Sequence, residues 1–120
     1  DDTVFVDEAT RLRNIESMIM NDVAMVRSRI DRKLAEDRIG RIQRPVLIIG
    51  RESDELQGIF RLCFELLEEA GKDVEWVSYD HPMHGFIYPV RGADGAYEVD
   101  RTQTEAIGRI ITYLDDRLRP

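Results

Sequence analysis

Asp54, His81 and His84 are the side chains of this chain best suited to moving a proton. The two histidines are the only ones present, and Asp54 precedes His84 by thirty residues. A carboxylate beside an imidazole fixes the ring tautomer and stabilises the imidazolium, while the imidazole takes a proton from a nucleophile. That is the chemistry of acyl transfer. A pair of histidines also suits a metal, but no third ligand stands at a matching position, so no metal site is expected. The lone cysteine, Cys63, excludes an internal disulfide and makes a cysteine-built zinc site a poor fit. Its apolar helical position predicts a buried structural thiol.

The acid and the histidines must be brought together by elements between and around them. Residues 1–7 read as an extended or loop segment. From Glu8 the apolar residues Leu12, Ile15, Ile19, Val23, Val26, Ile30 and Leu34 recur at three to four residues, as on one helix face. Asn21-Asp22 favours caps and is the expected break in that helical stretch. Gly40 and Arg44-Pro45 end it. Val46-Leu47-Ile48-Ile49 is apolar on both faces, as a buried parallel strand should be. Leu56, Ile59, Phe60, Cys63, Phe64 and Leu67 mark a helix closed by Gly71, and residues 74–79 form the next strand. Residues 80–101 read as a long loop. A final helix carries Ile107, Ile110, Ile111 and Leu114.

Two parallel strands joined by a helix form a right-handed unit with both sheet faces covered. Ligands in such sheets gather beyond the C-terminal strand ends. Residues 50–55 follow the first strand and residues 80–86 follow the second, so the acid and both histidines converge on one edge. Asp54 is equally suited to capping the helix that begins near Leu56. His81 lacks a matching context and is expected at the surface or as an outer support of the site. Trp76 is expected in the core or against a helix.

Composition narrows the function classes. Apolar residues make up 42% and charged residues 34%, which fits a folded chain rather than a disordered one. No apolar run is longer than that of Val46–Ile49, which falls far short of the roughly 20 residues of a membrane span, so no membrane partner is expected. A net charge of −7 argues against a nucleic-acid partner.

From Arg44 to Pro120 the chain resembles the α/β-hydrolase superfamily, in its dienelactone hydrolase and prolyl oligopeptidase-like branch. Arg44-Pro45-Val46-Leu47-Ile48-Ile49-Gly50 resembles the penultimate sheet strand, and Glu52-Ser53-Asp54-Glu55 the turn holding the triad acid. Residues 68–75 resemble the helix-to-strand join. His84-Gly85-Phe86 resembles the histidine loop, and Tyr113–Leu118 the end of the closing helix. The resemblance implies the C-terminal part of an α/β-hydrolase sheet, ordered strand, helix, strand, loop, helix. It places the acid on Asp54 and the base on His84, with no cofactor. Residues 1–43 fall where this superfamily inserts a helical cap or lid. Phe86, Tyr88 and Tyr97 then either line an acyl pocket or pack the loop.

The chain also departs from the pattern. Gly50-Arg51 stands where the family has a small or histidine-glycine pair. Neither a Gly-x-Ser-x-Gly elbow nor an oxyanion loop is present, and Ser17, Ser28, Ser53 and Ser78 lack elbow flanks. The implied function is hydrolysis of small-molecule esters or related acyl compounds, with a Ser or Cys nucleophile supplied by an N-terminal remainder of the fold. A prolyl oligopeptidase-type peptidase and a non-catalytic binding module of the same fold are the alternatives. A flavodoxin-like phosphate site is a poor match, because no Gly-rich turn precedes a helix.

An apolar parallel strand with one free edge is an association hazard. Expressed by itself, the 120-residue chain should aggregate or fold incompletely. A monomeric sedimentation profile with a cooperative melt would refute the expectation of missing strands.

Overall fold

The computed structural model describes residues 21–52, 54 and 56–119, so the segments expected to be extended at 1–7 and helical at 8–20 lie outside it. Asp22 caps α1 (Val23–Arg29) by accepting from the Met25 amide at 3.1 Å, where the sequence predicts a helix break. A second break was not expected. Asp31 caps α2 (Arg32–Gly40) through the Leu34 amide at 3.0 Å, and Ile30 before it is extended. Two short-chain caps nine residues apart favour two short helices over one long one.

The first strand, β1, runs from Val46 to Arg51, two residues further than its apolar stretch. It pairs in parallel with β2 (Val74–Tyr79), in a register running from Val46 opposite Val74 to Arg51 opposite Tyr79. Between them lies α3 (Gln57–Glu69). Its end follows the expected glycine rule in full. Gly71 has φ +70°, its amide donates to Glu68 O, and the Lys72 amide reaches back to Leu67 O at 2.9 Å. The chain is thus a mixed α/β fold; among the described residues it has four helices and this two-stranded parallel sheet.

Several expectations about burial need correction. On α3 the buried residues are Gly58, Leu62, Leu66 and Leu67, whereas Cys63 is exposed. The reason is that α3 is covered from two sides. Its sheet side brings Phe64 to Trp76, with ring centroids 6.1 Å apart. On the other side Arg27 of α1 bridges Glu65 and Glu69, and Leu66 faces a hollow shared with Ile39 of α2. The indole of Trp76 lies over Gly50, where a Cβ would come within 2.7 Å of the ring, so only glycine fits there.

Val46–Ile49 is half-buried rather than buried. One side lies under α3. The other opens on an apolar hollow of about 600 Å³ shared with Ile87 and with Ile110, Tyr113 and Leu114 of the last helix. That helix, α4 (Arg101–Leu118), buries Gln103, Ala106 and Tyr113, while Ile111 and Leu114 are exposed. The long loop contains a short hairpin, β3 (Val90–Arg91) with β4 (Tyr97–Glu98). Among the described residues no helix is long and apolar enough to cross a membrane.

The Gly71 turn offers a clean stability test. A Cβ there would meet no atom within 4 Å, so Gly71→Ala costs only the left-handed backbone term. Denaturant unfolding should show a loss of about 1 kcal/mol; an unchanged midpoint would mean the turn is not formed.

Candidate active site

Because β1 and β2 are parallel and in register, the chain leaves both at the same end. Tyr79 O accepts from the Glu52 amide at 2.8 Å, which binds the two exits together. The exit of β1 carries Arg51 and Asp54, and the exit of β2 carries His81 and His84. Ser53 and Glu55, in the same turn, lie outside the described residues.

Asp54 is 2% exposed, and a buried carboxylate is tolerated only when its oxygens are satisfied. Oδ1 accepts the Leu56 amide at 2.9 Å. Oδ2 accepts both Arg51 Nε and His84 Nδ1, each at 2.8 Å. Leu56 itself is the N-cap of α3 and receives no side-chain cap. Asp54 is therefore not the N-cap of α3; it binds the turn into the helix with one oxygen and holds His84 with the other. Burial alone would push its carboxyl up. The hydrogen bonds from His84, the Leu56 amide and Arg51 outweigh it and hold the pKa below the ordinary carboxylate value.

An ionised Asp54 can only accept, so the proton between it and His84 belongs to His84 Nδ1. That leaves Nε2 of this half-exposed ring as the basic nitrogen, with no hydrogen-bond partner among the described residues. Gly85, at φ +67°, turns the chain immediately after His84.

His81 is neither at the surface nor available. It is 7% exposed, Nδ1 accepts the Met83 amide at 3.0 Å, and Nε2 lies 2.6 Å from Asp100 Oδ2. Its ring stacks on Phe86 at 4.9 Å between centroids, and Phe86 meets Tyr79 edge-on. Of the two places expected for His81, the surface is excluded, because stacking on an aromatic ring takes the imidazole inside, and a place behind the site remains. The two rings thus hold opposite tautomers, and both nitrogens of His81 are engaged.

Ile49, Phe60, Phe86, Ile87 and Tyr88 line a hollow of about 190 Å³ together with Asp54 and His84. Phe86 is buried and supports the loop, whereas Tyr88 is 79% exposed. Tyr97 stands in the hairpin beneath Arg91 and away from this hollow. Sequence reasoning missed Arg51, which also donates to His81 O at 3.1 Å, and no periodicity signals such a residue. It also missed Gln103, which donates to Phe86 O at 2.6 Å and to Tyr88 O at 3.2 Å. Asp100 and Gln103 form a capping box, and that Asp-x-x-Gln spacing was legible in the sequence. No group of three or more His, Cys, Asp or Glu residues is placed to hold a metal among the described residues.

Comparison with known protein families, curated proteins and solved structures found no match to the chain.

The lowered pKa of Asp54 has a definite sign. Its contribution to stability is present in full above the ordinary aspartate value of 3.8 and is lost as pH falls through the lower folded value. Asp54→Asn should therefore cost stability at neutral pH and cost progressively less below about pH 4. Urea unfolding across pH 2–7 reads this; a pH-independent difference between the two proteins would contradict the ionised, bonded carboxylate.

Proposed function

We propose that this chain is the acid-and-base portion of an α/β-hydrolase acting on esters or related acyl compounds, with the nucleophile supplied by another segment. The reading rests on one observation. A buried, ionised carboxylate at one strand exit holds Nδ1 of a half-exposed histidine at the adjacent exit and leaves Nε2 without a hydrogen bond among the described residues. That is the orientation a general base needs.

In this reading a Ser or Cys nucleophile gives its proton to His84 Nε2 as it attacks the substrate carbonyl. Asp54 stabilises the imidazolium so formed, and Arg51 with the Leu56 amide keeps Asp54 ionised during the step. His84 then passes the proton to the leaving alcohol. Water repeats the sequence to release the acid. The apolar hollow beside His84, lined by Ile49, Phe60 and Ile87, suits a small apolar acyl group. Half-exposure of β1 and the apolar hollow against α4 are supports for further strands or helices of the same fold. The helices α1 and α2 lie against α3 at Glu65, Leu66 and Glu69 and do not line the hollow beside His84, so the reading of them as a lid gains no support from their placement.

The test is turnover of short-chain chromogenic esters by the intact protein, with fluorophosphonate labelling to locate the nucleophile. His84→Ala should lower turnover roughly 10⁴-fold or more. Its thermal midpoint should fall only modestly, because buried Asp54 loses one donor while Arg51 and the Leu56 amide remain. Asp54→Asn should also be severe, since it disturbs the tautomer while leaving base and nucleophile in place. If neither substitution changes turnover, the hydrolase reading fails.

A further inference from the structure

The loop that carries His84 leaves β2 at Asp80 and rejoins regular structure at α4, and a flexible loop of this size would let the ring wander. It is closed instead by a second histidine–aspartate pair. The Met83 amide donates to His81 Nδ1, so that nitrogen holds no proton, and Nε2–H donates to Asp100 Oδ2 at 2.6 Å. Asp100 is the N-cap of α4 and accepts the Gln103 amide on its other oxygen at 2.8 Å. His81 O takes a bond from Arg51, whose Nε holds Asp54. His81 thus joins the β2 exit, the α4 start and the acid turn, and its ring is stacked on Phe86 two residues beyond His84.

We propose that His81 is a positioning residue for the site. Its neutral Nε2–H imidazole, clamped between the Asp100 carboxylate and the Met83 amide, holds the loop so that His84 Nδ1 faces Asp54. The catalytic consequence rests on the hydrolase reading; the positioning of His84 does not. In this arrangement His81 transfers no proton, since each ring nitrogen is already engaged. Replacing it by glutamine retains a donor at the place of Nε2, whereas alanine removes both bonds and the stacked ring. Asp100→Asn retains a capping side chain, yet it cannot both cap Gln103 and accept from Nε2–H.

The test uses the intact protein with ¹⁵N-labelled histidine, the His84 resonances being assigned by their loss in His84→Ala. In the parent protein His84 should show a slowly exchanging Nδ1 proton at low field, and His81 should show the opposite tautomer. In Asp100→Asn and His81→Ala the His84 proton should broaden or vanish, with kcat falling about 100-fold and KM little changed. His81→Gln should recover most of both. Circular dichroism identifies any variant that fails to fold. Should His81→Ala be such a variant, Asp100→Asn and His81→Gln decide the matter. A parent-like His84 signal in folded Asp100→Asn or His81→Ala overturns the proposal, as does a His81 protonated on Nδ1. A protein that shows the His84 signal, and its loss in these variants, without ester turnover retains the positioning role and loses the hydrolase reading instead.

Discussion

A buried carboxylate imposes more on its surroundings than any apolar side chain of similar size, and Asp54 is the one on which this fold's geometry turns. Removed from water, an ionised carboxylate is tolerated only where donors replace its hydration. Here the donors come from three places: the end of β1 through Arg51, the entrance of α3 through the Leu56 amide, and the loop after β2 through His84. Each donor is useful only if its own element stops at the right residue. The parallel register places Arg51 opposite Tyr79 and so puts both strand exits at one level. The demand of one charge is met by the agreement of three chain segments.

The histidine loop has little regular structure, yet its polar groups are well committed. His81 and Asp100 close its two ends, and Gln103 reaches from α4 to the carbonyls of Phe86 and Tyr88. Phe86 lies beneath with Tyr79 and His81 against it. An ordering cost is incurred for every residue held in such a loop. Fastening at both ends and in the middle offsets it, and of the two histidine rings the one left half-exposed is that of His84.

Elsewhere the packing is asymmetric. One side of the strand pair lies against α3, which is itself covered by α1, whereas the other side opens along β1 between Pro45, Ile87 and α4. Large apolar side chains on that open side, Leu114 among them, remain partly in water. Parallel sheets ordinarily have both faces covered, because their crossover connections lay helices on them. Among the described residues, that side of β1 and α4 has no cover.

Local interactions were legible in the residues themselves. Asp22 as a cap, Gly71 as a left-handed terminator, the β-rich run at 46 and the strand at 74 all depend on neighbours within a few positions. The placing of an acid and a histidine at successive strand exits also followed from the order of elements. What the sequence could not reveal depended on distant partners. Cys63 is exposed while Leu62 and Leu66 are buried, because distant elements pack on α3, and nothing near residue 63 records that. His81 and His84 are alike in type and stand three positions apart. Only the Phe86 ring, the Asp100 cap and the Met83 amide commit both nitrogens of the first, while Asp54 leaves Nε2 of the second free to accept a proton. A tautomer is chosen by the atoms that face each nitrogen, and those atoms are assembled only when the loop closes.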